Sequence, residues 1–294
     1  MNPDDIQFEL GSIFEAQRHA RAGAPYPHWP ERRARLEKLR DLLFDHEAEI
    51  IAAIDADFGG RSAFNTRLAE LFPSVHELKV MLREGRKWMA PRRASTAKWF
   101  LPARSSILPQ PLGVVGIIVP WNYPLILAIG PLSAAVAAGN RVMLKMSEFT
   151  PAFSALFARL IADRFPASEV AVVNGGAEVA AAFSALPFDH LLFTGSTAVG
   201  RKVMAAASAN LTPVTLELGG KSPAVVTPGY PLAHAVERIL VGKLINGGQT
   251  CIAPDYVLLP RSDVPAFVDK VRTAVGQMYP AGLADPDYCS IVND

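Results

Sequence analysis

This sequence predicts an α/β fold built on a doubly wound parallel sheet, and three observations predict it. From Gly113 onward, short apolar runs of strand length alternate with helical stretches. That order needs a parallel sheet with right-handed crossovers. Half of the 294 residues are hydrophobic, enough to cover such a sheet on both faces. A chain of this length makes about two domains on the usual size scale. Residues 1–218 are expected to form the first, with N-terminal helices and an arm near 98–112, and 219–294 part of a second α/β unit.

The elements follow in order. The first hundred residues look helical: Leu36, Leu39, Leu43, Ile50 and Ile54 recur at helical spacing opposite a charged face. Pro30 suits a first helical turn. A further helix is expected over 68–89, before Pro91. "WFLPARSSILPQPLG" reads as an extended, proline-punctuated arm suited to edge pairing with a partner chain. "GVVGIIV" and "RVMLK" are strands, and between them "PLSAAVAAGN" is a small-residue helix closed by Gly139. "TPAFSALFARLIADRF" is a helix with Thr150 as N-cap, Pro151 at the first helical position and Pro166 as its stop. "VAVVNGG" is a strand and turn, and "HLLFTGS" is a strand meeting a helix that begins near Ser196. After "TPVTLELGGKSPAVV" come a helix over 231–245, a glycine-rich turn, the strand "DYVLLP" and a helix around 264–278.

Bulk properties exclude several classes. Lys plus Arg is 29 against 28 Asp plus Glu, a net charge of +1. Such a balance gives no broad attraction to nucleic acid or anionic membrane. The basic cluster over 83–98 reads as a solvated helix end. Two cysteines make neither a disulfide framework nor a metal spacing, which fits a reducing, cytoplasmic compartment and no metal. The N-terminus lacks the charged and apolar regions of a signal peptide. No apolar stretch is long enough to span a bilayer. No histidine falls in a metalloprotease or triad pattern, and His190 reads as structural.

The turn "NGGQTCIAPD" puts Cys251 in a polar, glycine-rich setting. A thiolate is a strong nucleophile towards a carbonyl carbon, and backbone amides of the turn could hold a developing oxyanion. Taken alone, a single cysteine is more often a packing residue, and Cys289 keeps that reading. "GSTAVG", Gly195 to Gly200, lies between a strand and a helix N-terminus, a place suited to phosphate through free N–H groups and the helix dipole. Taken alone, simple turn geometry is the better reading of that glycine pair, and no G-x-G-x-x-G fingerprint occurs.

Five blocks in register decide more than any one. "VPWNYP", "LKMSE", "FTGSTAVG", "LELGGKSP" and "NGGQTC" together resemble the aldehyde dehydrogenase superfamily. The likeness is greatest to its class 3 and fatty-aldehyde branch, and within that branch to the coniferyl aldehyde dehydrogenases. The resemblance implies NAD(P)-dependent oxidation of an aromatic or long-chain aldehyde to the acid. Cys251 would be the nucleophile, the Asn122 side-chain amide an oxyanion donor, and Glu217 the base that activates water. Glu217 sits in an apolar strand ahead of two glycines, where burial is expected to raise its pKa; taken alone, a strand-end glutamate facing solvent is an equal reading.

For the cofactor, the resemblance assigns Ser196 to the pyrophosphate and Lys145 and Glu148 to the adenosine ribose. Pro120, Trp121, Gly195, Gly200 and Leu218 belong to the same implied site. A carboxylate at Glu148 favours NAD over NADP, although the branch takes both. The family more often has proline where this chain has Met146. Trp121 and Tyr123 flank Asn122 and either wall the substrate pocket or pack in the core. Family members continue past Asp294, so the resemblance implies C-terminal truncation. It also implies a homodimer or larger homo-oligomer for the complete enzyme. Two alternatives are coenzyme A-acylating or esterase thioester chemistry, and an inactive nucleotide-binding remnant.

Overall fold

The computed structural model describes residues 3–293. Five helical segments come first: α1 (Pro3–Gly23), α2 (Trp29–Asp45), α3 (Glu47–Phe58), the short α4 (Ala63–Thr66) and α5 (Phe72–Trp88). A π-helical turn over Arg67–Leu71 joins α4 to α5. Next, β1 (Arg92–Ala94) and β2 (Ser105–Ile107) pair antiparallel as a two-stranded ribbon. The basic stretch read as a helix end therefore turns into a strand after Pro91. The arm is a ribbon whose tip exposes Trp99, Phe100 and Leu101.

The main sheet follows: β3 (Val114–Ile118), α6 (Ile126–Ala138), β4 (Arg141–Lys145), α7 (Pro151–Ala162), β5 (Val170–Val173), α8 (Ala177–Ser184), β6 (His190–Gly195), α9 (Thr197–Ser208) and β7 (Val214–Leu218). Its strand order is β5-β4-β3-β6-β7, with every pair parallel. The winding reverses between β3 and β6, the place where such sheets open a crevice at their carboxyl ends.

Strand alternation divides the core. Val115, Ile117, Val142 and Leu144 pack under α2, α3, α5, α6 and α7. Val114, Ile118, Met143, Leu191 and Phe193 pack on the other face with α1, α8 and α9. From α1, Ile6, Leu10 and Phe14 reach this second face at four-residue spacing. Gly116 is required at the centre: a Cβ there would lie 2.7 Å from the Phe188 ring and 2.8 Å from Leu191.

Two local expectations change. The helix expected to begin at Pro131 begins at Ile126, and Pro131 lies inside it. Its ends are held from a distance. Glu70 Oε2 accepts from the amides of Leu125 (2.7 Å) and Ile126 (3.1 Å). Arg32 donates to the carbonyls of Ala137 (3.1 Å) and Ala138 (2.7 Å). An anion at the start and a cation at the end both suit the helix dipole. Thr150 does stand at the N-cap of α7, but its hydroxyl does not cap. Asp57 caps instead, accepting from Ala152 and Phe153 at 2.8 Å each, because its two oxygens reach both amides from α3.

Beyond Leu218 the chain leaves the main sheet. A second, two-stranded parallel sheet forms from β8 (Ser222–Val225) and β9 (Pro254–Leu258). It packs with α10 (Leu232–Leu244) and α11 (Val264–Met278) around Val236, Leu240 and Phe267.

Candidate active site

The carboxyl ends of the main strands gather most of the residues singled out in the sequence. Pro120, Trp121 and Asn122 follow β3, Lys145 ends β4, Gly195 ends β6, and Glu217 and Leu218 end β7. A cleft of about 500 Å³ opens there. Pro120, Trp121, Lys145, Glu148, Gly195 and Ser196 all line it. Lys145 is nearly buried and pairs with Glu148 at 3.1 Å. Ser196 caps α9, its Oγ accepting from Val199 N at 3.3 Å. The hydroxyl proton remains free to donate outward. A Cβ on Gly195 would lie 2.5 Å from the Phe193 ring, so glycine is what lets the strand end turn into the cleft. Gly200 and Leu218 are not among the lining residues; a Cβ on Gly200 would meet Leu218 Cδ2 at 3.1 Å, which brings α9 close to β7.

The cysteine turn joins this edge from the second unit. Asn246, Gly247 and Gly248 have φ of 55°, 61° and 80°, three successive left-handed residues. A Cβ on Gly247 would stand 2.8 Å from the Cys289 carbonyl oxygen, and on Gly248 2.9 Å from that of Lys243. Asn246 adopts this disfavoured conformation because its buried side chain is tied down. Its Nδ2 donates to Asn122 O at 2.9 Å. In return Asn122 Nδ2 donates to Gln249 O at 3.0 Å, and the Tyr123 and Thr250 hydroxyls share a 2.6 Å hydrogen bond. Gln249 Nε2 reaches Ser290 O at 3.0 Å, while its Oε1 accepts from Val292 N at 3.0 Å. Asn122 is thus bonded to the turn two residues before the exposed Cys251.

Glu217 differs from its expected setting. It is exposed rather than buried, because β7 is the edge strand of the main sheet and its outer side has no cover. Its position relative to Cys251 follows from the register. Ser222, five residues after Glu217, pairs with Pro254, three residues after Cys251, in a parallel ladder. The segments that follow Glu217 and Cys251 therefore enter the second sheet at the same end. Lys221 and Asp255 close that end with a 3.2 Å ion pair. Tyr123 belongs to the core: its ring is buried against the Arg61 guanidinium at 5.1 Å. Trp121 lines the cleft and also packs on Phe58.

The Aldehyde dehydrogenase family model matches residues 10–289. The chain belongs to the aldehyde dehydrogenase family. A probable coniferyl aldehyde dehydrogenase of Pseudomonas aeruginosa is 52% identical over 286 residues, 97% of this chain and 60% of its own length. Among solved structures, a substrate-bound state of Staphylococcus aureus AldH superposes with a TM-score of 0.93 at 35% identity, over 97% of this chain and 62% of that one. A Mycobacterium tuberculosis aldehyde dehydrogenase complexed with NAD+ gives 0.87 at 29% identity, over 98% and 60%. The chain spans about three fifths of the length of these relatives. The α/β aldehyde dehydrogenase fold is thereby established for the region described.

Several residues in and around this cleft gave no sequence signal. Ala177, Ala180 and Ala181 of α8 line the cleft, where small side chains leave room; the run "AEVAAAFS" reads only as a good helix former. Arg61 and Glu70 are both fully buried and paired at 2.9 Å, yet in sequence they are two charges in a helical, charged region. Cys289, by contrast, is buried as its packing reading expects; it donates to Asn246 Oδ1 at 3.3 Å, and burial pushes its thiol up to about 11. Among the described residues no group of three His, Cys, Asp or Glu could hold a metal ion, and no helix is long and apolar enough to cross a membrane.

Proposed function

We propose that this chain carries the cofactor cleft and the nucleophile of an NAD-dependent aldehyde dehydrogenase, and that NADP is also accommodated. The observation that carries the reading is the mutual hydrogen bonding of Asn122 and the cysteine turn beside the cleft. These bonds bring the candidate oxyanion donor to the turn that carries the candidate nucleophile. The cleft suits a dinucleotide: its volume is of the right order, a Lys–Glu pair stands at one side and a helix N-terminus capped by a serine at the other. Lys145 and Glu148 would hold the adenosine ribose, and Ser196 with the first amides of α9 the pyrophosphate. When bound, the nicotinamide supplies the hydride acceptor.

Cys251 attacks the aldehyde carbon, giving a thiohemiacetal whose oxyanion is held by the Asn122 amide and the Cys251 N–H. Pre-placed donors of this kind each contribute about 2.7–4 kcal/mol. The oxidised adduct is a thioester on Cys251. Glu217, reaching in from the exposed end of β7, takes a proton from the water that hydrolyses it. Its role rests on the shared register of β8 and β9 and not on burial. The substrate is an aromatic aldehyde of the coniferaldehyde type or a long-chain aliphatic one, a reading supported by the coniferyl-type relative. The complete enzyme acts as a homodimer or larger homo-oligomer.

The test is NADH formation with an aromatic and an aliphatic aldehyde, without coenzyme A, for the chain and its Cys251→Ala variant. Turnover that disappears with the thiol supports the reading. Turnover that survives, or that needs coenzyme A, overturns it.

A further inference from the structure

The buried ion pair Arg61–Glu70 lies outside the chemistry just described, yet it surrounds the segment that delivers Asn122. Both side chains are 0% exposed, and Arg61 Nη1 stands 2.9 Å from Glu70 Oε1. The guanidinium lies 5.0 Å from the Phe58 ring centroid and 5.1 Å from that of Tyr123, so aromatic faces flank the parts of it that find no hydrogen-bond partner. Arg61 Nη1 also donates to Asn122 O at 3.3 Å. Glu70 holds the other end of the same segment through the Leu125 and Ile126 amides. Burial raises the Glu70 pKa and Arg61 opposes that rise, so the two charges depend on each other.

Segment 122–126 is in turn what grips the cysteine turn, through Asn122 and Tyr123. Among the described residues, no hydrogen bond joins Arg61 or Glu70 directly to 246–251. Segment 122–126 carries the side-chain route; a second route, from the Gly59–Gly60 carbonyls through Ser290 to Gln249, uses backbone that substitutions at 61 and 70 leave in place. We propose that Arg61 and Glu70 are positioning residues: the pair fixes where the Asn122 amide stands relative to Cys251. This inference rests on the dehydrogenase reading. It makes the N-terminal helices, which contribute nothing to the cofactor cleft, a working part of the oxyanion site.

Removing one partner alone would strand a buried charge, so the main variant removes both. Arg61→Met/Glu70→Gln fills the space and keeps an acceptor for the α6 amides. Three quantities are measured on the full chain: kcat with saturating aldehyde, the NAD dissociation constant, and amide hydrogen exchange of 246–250 against 191–195. The expected result is a kcat lower by about ten- to a hundredfold, the size that a small misplacement of a catalytic group produces. NAD affinity and exchange in 191–195 stay at the wild-type values, while exchange in 246–250 accelerates. A wild-type kcat, or unchanged exchange in the turn, overturns the proposal. If the double variant does not fold, Arg61→Lys is judged by the same readouts: it keeps the charge but loses the planar fork over the two rings, and wild-type values of kcat and turn exchange again overturn the proposal. A wild-type chain that binds NAD but oxidises no aldehyde defeats the dehydrogenase reading instead; the exchange result then decides the coupling alone.

Discussion

The main sheet and the cysteine-bearing unit are both parallel α/β structures, but they bury their strands very differently. Every residue of β3 and β4 is buried, whereas every residue of β8 and β9 is half-buried or exposed. In the second unit Val225 is 67% exposed and Leu258 52%, with Val241 and Tyr256 also open. Its own core amounts to a few side chains around Val236, Leu240 and Phe267. The cysteine turn nevertheless holds three left-handed residues in succession. The difference teaches that the turn's order is lent to it by the first unit, through Asn122 and Tyr123, and by the segment around Cys289–Val292. The cleft sits on a stiff frame, and the proposed nucleophile is moored to that frame.

The comparison can be broken at several points. Cys251→Ala has the largest expected effect: aldehyde oxidation is lost, while NAD affinity, a property of the frame, is kept in a binding titration. Asn122→Ala cuts a mooring as well as the proposed donor, and kcat should fall by about 10²–10³. A kcat within threefold of wild type in steady-state assays would deny it both roles. Gly116→Ala drives a methyl into Phe188 and Leu191 in the stiff frame. It should destabilise by about 1–3 kcal/mol, read in denaturant unfolding. The matching change in the open unit, Val225→Thr, should move stability by no more than about 0.5 kcal/mol. Thiol labelling sharpens the same contrast. Iodoacetamide should modify the exposed Cys251 of the folded chain and leave the buried Cys289, with its raised pKa, unmodified up to pH 9 by peptide mass mapping.

How legible this was in the sequence varied with how local the cause is. Strands such as "RVMLK" and the start of α9 near Ser196 rest on nearby residues, and they stand where the pattern put them. The start of α6 could not be read at Pro131, because the helix is capped by Glu70 from more than fifty residues upstream. Thr150 lost the cap of α7 to Asp57 for the same reason. Glu217 looked buried because its neighbours are apolar; exposure came from β7 lying at the sheet edge, a fact of strand order. Within the candidate site, the five sequence blocks named the cleft and the turn. The ion pair that braces them was invisible, since a buried Arg–Glu pair and a solvated one have the same spelling.

The most direct measurement is mass spectrometry of the Glu217→Gln variant after mixing with NAD and an aromatic aldehyde. With hydrolysis slowed, the peptide containing Cys251 should carry one acyl group, formed together with a single burst of NADH. Steady turnover at the wild-type rate with an unmodified Cys251, or an acyl group on any other residue, would contradict a nucleophile held at that turn and a water base at the end of β7.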